Sequence, residues 1–207
     1  MSDNDIPIDG LIALEPSPDE EAWEAYLLFA LEDLEATEET AIDMRTLAAI
    51  ERDVGVRVPF EVGLLLVIGV PDAEGWYRWG DDPAAELVSW NERTLGAILD
   101  DVEHRQFWSE AWGARPADEE VRARRVRKLY ADAAPVLPLY RNRVVPLVPA
   151  AGETAAESNP VLALDGASVT TAGTDIAAWI TNEFGVPLPM WPETPPRTFT
   201  FWSDLLS

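Results

Sequence analysis

The chain has 207 residues, 47% of them hydrophobic, which suits one folded unit with a substantial core. Its 38 acidic and 15 basic residues give a formal net charge of −23; such a field repels nucleic acid and anionic membranes and attracts basic surfaces, or serves solubility alone. Cysteine is absent, which excludes disulfides, thiol catalysis and thiolate metal sites.

Residues 1–16 read as a loose acidic arm carrying Pro7, Gly10 and Pro16, and residues 17–207 as a single domain. The acidic start lacks the basic and apolar regions of a secretory leader. The longest apolar run, 62–70, is far too short to span a bilayer. A cytoplasmic location is therefore expected.

A helix is expected from Ser17 as N-cap, with Pro18 at the first position and Glu20 completing a capping box. Trp23, Tyr26, Leu27, Ala30, Leu31 and Leu34 recur at helical spacing and form one apolar stripe. No base precedes Arg45, whereas 14 acids do, so this helix reads as an anionic rod with an apolar back. A second helix is expected over 40–54, with Leu47, Ile50 and Val54 inward and Gly55 as a left-handed cap. Val58-Pro59 opens a short buried helix that runs to Ile68 and stops near Gly69. Residues 71–83 read as a loop or hairpin with Trp76, Tyr77, Arg78 and Trp79 extended. A helix follows over 84–102.

Beyond an aromatic stretch at 107–113, a helix is expected over 118–133. Its first-turn acids Asp118, Glu119 and Glu120 and its later bases Arg122, Arg124, Arg125, Arg127 and Lys128 match the helix dipole. This reads as a solvated face rather than a nucleic-acid patch. The period then changes: 135–140, 143–148, 159–164 and 167–171 read as strands, with a flexible loop at 149–158. Thr174 is expected to cap a helix ending at Gly185, and 198–202 to form a last strand.

Catalytic chemistry is sparse. No nucleophile elbow, phosphate loop or dinucleotide fingerprint occurs, and His104 is the single histidine. Asp100, Asp101 and His104 could share a helix face and hold a divalent cation as part of a metal-dependent enzyme; a local ion pair or cap is the simpler account. No cofactor and no metal is expected. The nine tryptophans read chiefly as core, with a recognition groove as the alternative.

Several blocks together resemble the SUKH superfamily. They are Ile50-Glu51 through Gly55 to Val58-Pro59; Asp101 to His104 with Phe107-Trp108 and Trp112-Gly113-Ala114-Arg115-Pro116; Ala134-Pro135-Val136-Leu137-Pro138-Leu139-Tyr140; Arg143-Val144-Val145-Pro146; Asn159-Pro160-Val161; and Gly173-Thr174-Asp175 through Trp179 to Glu183-Phe184. The resemblance covers roughly residues 40–185. The resemblance implies a single α+β domain, a mixed and mainly antiparallel sheet flanked by helices. It further implies a domain that works by binding rather than catalysis. Bacterial relatives are commonly immunity proteins that neutralise a cognate toxin, frequently a nuclease, and fungal relatives are signalling scaffolds. The chain departs from the family pattern at Ile68-Gly69, Arg141-Asn142, Ser168 and Thr171-Ala172, so ligand identity does not carry over.

The expected function is protein binding: an immunity protein whose acidic surface meets a basic toxin, or an intracellular regulatory scaffold with a non-toxin partner. Glu20, Glu21 and Glu24 on the first helix, Trp76, Trp79, Asp81 and Asp82 in the following loop region, and Arg143 are the candidate contact residues. Neither nucleic acid nor membrane is an expected partner, and oligomeric state is left open.

Overall fold

The computed structural model describes residues 19–149, 158–191 and 195–206. The expected arm, Ser17 and Pro18, and most of the expected loop at 149–158 lie outside these residues. In chain order the elements are α1 (Glu20–Asp33), α2 (Met44–Val54), β1 (Val56–Arg57), α3 (Phe60–Ile68), α4 (Pro83–His104), α5 (Glu119–Ala131), β2 (Val136–Tyr140), β3 (Arg143–Pro146), β4 (Val148–Pro149), β5 (Val161–Asp165), β6 (Ser168–Gly173), α6 (Ile176–Phe184) and α7 (Thr200–Ser203). Single 3-10 turns form at Glu38–Thr40 and Glu110–Trp112.

Aspartate starts most of the helices. Asp19, Asp43, Asp82, Asp118 and Asp175 are N-caps, each accepting from the backbone N–H three residues on (Ala22, Thr46, Ala85, Val121 and Ala178) at 2.7–3.1 Å. Each satisfies one of the donors that a helix start leaves unpaired and adds negative charge at the positive end of the dipole. Part of the acid excess is thus architectural. Two expected caps move accordingly: α1 opens on Asp19, and α6 on Asp175 rather than Thr174. Gly55 and Gly185 close α2 and α6 in the left-handed conformation, as their sequence positions predict.

The main sheet has the order β2-β3-β5-β6, and β1 pairs with β4 in a small second sheet; every strand pair is antiparallel. The fold is therefore α+β, as expected, but the sheet is not mixed. Parallel pairing among the described residues is confined to the isolated bridges Ser158–Pro196 and Val169–Leu206.

Helices cover both faces of the sheet. Because side chains alternate across a strand, neighbouring residues enter different cores. Leu137, Leu139, Val145 and Val161 pack with α1, α2, α3 and α6, around Leu27, Leu31, Ile50, Leu65 and Trp179. Val136, Val144, Leu162 and Val169 pack with α4, α5 and α7, around Ile98, Val102, Trp112, Val126 and Trp202. The long α4 reaches both cores, giving Leu87 to the first and Ile98 to the second. All five residues of β2 are buried, as a strand covered on two sides requires.

Pro138, which has no N–H to donate, sits in β2 at the edge of the sheet, where proline is tolerated. The loop before α4 closes that edge. Trp76 bridges Tyr140, Tyr77 N–H donates to Leu139 O (2.9 Å), and Arg141 N–H donates to Gly75 O (2.6 Å). Gly75 has φ +102, and a β-carbon there would strike the Tyr140 ring, so the approach depends on glycine. The extended reading of 76–79 holds as pairing only at its first two residues.

The expected strand at 198–202 is a correction. Thr200–Ser203 is a helical turn that places Phe201 and Trp202 side by side in the second core, with Leu205 buried just beyond. Trp202 Nε1–H donates to Ala134 O (2.8 Å) and Phe201 stacks on Trp112 (5.7 Å, 16°). Tertiary packing decides this segment over its β-type composition.

Candidate functional site

Several polar residues within the resembling blocks are engaged inside the fold. Glu51 accepts from Val58 N–H (2.9 Å), Asn159 donates to Pro146 O (2.8 Å), and Asp175 caps α6. Arg143 pairs with Glu183 at 2.8–2.9 Å, both largely covered. Phe107 and Trp108 each pack edge-on against Trp112, and Trp108 Nε1–H donates to Gly113 O. These groups support the scaffold.

Asp100, Asp101 and His104 do not form a shared donor set. His104 Nδ1 lies 2.9 Å from Asp100 Oδ1, and both side chains are exposed. Asp101 turns the other way: it is buried, accepts from Ala167 N–H (2.8 Å) and contacts Arg105 (3.3 Å). Gly166, at φ +59, lies so close that a β-carbon there would collide with the Asp101 carboxylate. Asp101 thus holds the β5–β6 turn against α4. Among the described residues no three metal-binding side chains cluster.

The other expected contact residues divide. Trp76 is 7% exposed and stacks on Phe184 (5.3 Å, 11°) with Trp179 and Tyr140 against its edges. With Arg143 held by Glu183, the surface role expected for these two residues gives way to a structural one. Trp79 is half-buried against Tyr77, and its indole N–H finds no acceptor. Asp82 caps α4, and Asp81 beside it is exposed. Glu20, Glu21 and Glu24 are exposed on α1.

The apolar stripe of α1 packs inward as expected, with Trp23, Tyr26, Leu27, Ala30 and Leu31 buried. What the stripe conceals is its opposite face. Leu28 and Phe29 are 49% and 52% exposed, out of phase with the stripe. Around them along the same exposed face lie Glu20, Glu21, Glu24, Glu32 and Asp33. The helix contains no base, and Glu32 and Asp33 stand in its last turn, where carboxylates oppose the dipole. The result is an apolar pair framed by carboxylates. Sequence reasoning missed Leu28 and Phe29; their signal is two large apolar residues on the angular sector that the glutamates occupy.

One buried acid stands apart from this face. Glu61, in the first turn of α3, is buried, and burial pushes its carboxyl up to about 7; Asp175 adds to the rise, while its own backbone N–H and Arg197 oppose it.

No helix among the described residues is long and apolar enough to cross a membrane. No family model, curated protein or solved structure matches this chain.

Proposed function

We propose that this chain is a non-catalytic, cytoplasmic protein-binding module, an immunity protein of SUKH type that neutralises a cognate toxin by presenting α1 to the toxin's basic surface. The observation that carries this reading is the exposed Leu28–Phe29 pair framed by carboxylates. Interfaces draw their affinity from a small desolvated apolar centre, while surrounding charge steers encounter and selects the partner. A nuclease toxin must hold phosphates in a basic cleft, so a uniformly anionic helix is complementary to it. The blocks add the resemblance, over roughly residues 40–185, to a family that works by binding.

The test is capture on the immobilised full chain from its source cells, with mass spectrometry of what is retained. The expected outcome is a basic protein whose toxicity, on expression alone, is relieved by co-expressing this chain. A captured partner with no toxicity would favour a regulatory scaffold, and the absence of any partner that depends on α1 would overturn the reading.

A further inference from the structure

A cleft of about 220 Å³ opens between α4 and the two hairpin turns that face it. Its α4 wall is Trp90, Arg93, Thr94 and Ala97, one stripe at helical spacing. The opposite wall brings Arg141 and Asn142 from the β2–β3 turn, and Leu164 with Gly166 from β5 and the turn after it. The wall is preformed. Asn142 Nδ2–H donates to Leu164 O (2.9 Å), Leu164 N–H donates to Asn142 O (3.0 Å), and Asp101 holds the neighbouring Ala167 N–H.

Two arginines line this cleft in a chain of net charge −23, and among the described residues no carboxylate lines it. Among the described residues neither Arg93 nor Arg141 has an ion-pair partner, whereas Arg52, Arg57, Arg78, Arg105, Arg122 and Arg143 each do. Arg93 donates to Ser89 Oγ (2.7 Å) and stands over the Trp90 ring (5.5 Å). Arg141 lies over Tyr140 (4.9 Å) and is held at φ +49, a left-handed conformation that residues with a β-carbon seldom adopt. Glu86, near the same end of α4, is occupied by Gly80 N–H and the Tyr77 hydroxyl. Stacking and neutral contacts hold both side chains, and among the described residues no carboxylate lies within ion-pair distance of either.

We infer that this cleft is a binding site for a small organic carboxylate with a compact apolar body of about one ring, its carboxylate held between Arg93 and Arg141. Planar guanidinium matches carboxylate with paired hydrogen bonds. Trp90, Ala97 and Leu164 supply the apolar wall, and a cavity of about 150 Å³ already admits a benzene ring. Apolar walls with few convergent polar groups are the usual composition of small-ligand pockets. The site lies on the α4 side of the sheet and is independent of the α1 face.

The test is a titration of the ¹⁵N-labelled full chain with benzoate, its neutral isostere benzamide and inorganic phosphate, followed by amide NMR. Benzoate is expected to shift the amides of Thr94, Asn142 and Gly166 saturably, with benzamide and phosphate each about tenfold weaker. Arg93→Gln and Arg141→Gln should each weaken benzoate by about tenfold while leaving amides outside the cleft in place. Equal binding of benzoate and benzamide, shifts centred elsewhere, unchanged affinity in both variants, or no saturable benzoate shift would each overturn the proposal.

Discussion

The two helical layers of this fold carry charge in opposite ways. On one side of the sheet, α5 starts with Glu119 and Glu120 and continues with exposed Arg124, Arg125, Arg127 and Lys128, an order that suits its own dipole. Arg122 on the same helix is tied to Glu103 at 2.7–3.0 Å, and that guanidinium holds the Glu103 carboxyl below its usual range. On the other side, α1 has acids at both ends, no base, and two apolar side chains in water. The α5 charges follow the order that its dipole favours, and one of its arginines is tied to Glu103. The α1 face is compensated by nothing within its helix, and local electrostatics work against its last turn. Natural sequences keep such inconsistencies chiefly where function needs them, so the difference between the layers is what directs attention to α1.

The largest expected contrast separates tryptophan in the core from apolar groups on α1. Trp76→Ala should destabilise the chain by about 3–5 kcal/mol in urea unfolding, because it leaves a cavity beside Phe184 and Trp179 and loosens the cover over the β2 edge. The double change Leu28→Ser with Phe29→Ser should stay within about 0.5 kcal/mol per position, as exposed sites do. A large loss from the α1 pair would show that it packs against the fold and would remove the surface reading.

Next in size is the seam between α4 and the β5–β6 turn. Gly166→Ala should cost about 2 kcal/mol, from the left-handed backbone and from displacing the Asp101 carboxylate off Ala167 N–H. Asp100→Ala, on the exposed side of the same helix, should change stability little. Equal effects of the two would contradict the assignment of Asp101 as an internal brace.

Glu61 provides a pH signature within the α1–α3 layer. Its folded-state value of about 7 lies above its ordinary 4.5, so the native state binds the extra proton between those limits. That contribution is therefore fully present below about pH 4.5, declines as pH rises toward 7, and is gone above it. Melting temperature between pH 5 and 8 should fall less steeply in Glu61→Gln than in the parent, by roughly 5–10 °C over the interval. Parallel curves would show that Glu61 ionises freely in the folded chain.

Much of the architecture was legible because local signals agreed. Helices α2 and α3 announced themselves through apolar spacing and terminal glycines, α5 through its charge order, and β2, β3, β5 and β6 through short apolar runs between turn residues, whereas the strand expected over 143–148 divides at Leu147 into β3 and β4. The choice between neighbouring caps was not legible: Ser17 and Asp19, or Thr174 and Asp175, have comparable capping chemistry, and only the path of the chain decides. The segment at 198–202 misled because Phe199 and Phe201 alternate like a strand, whereas the second core requires Phe201 and Trp202 together. Of the candidate surface, the glutamates of α1 were legible as charge. Leu28 and Phe29 were not, because the carboxylates that share their sector make it read as a solvated polar face. The cleft at Arg93 and Arg141 joins residues from three separated segments, which no local pattern reveals.

The central claim is that α1 grips a basic protein through both its charge and its apolar pair, and binding kinetics with the captured partner test it most directly. Glu20→Gln, Glu21→Gln and Glu24→Gln together should slow association about tenfold at low salt and much less at high salt, where steering is screened. Leu28→Ser with Phe29→Ser should chiefly accelerate dissociation. Association and dissociation rates that match the parent in both variants would contradict the claim.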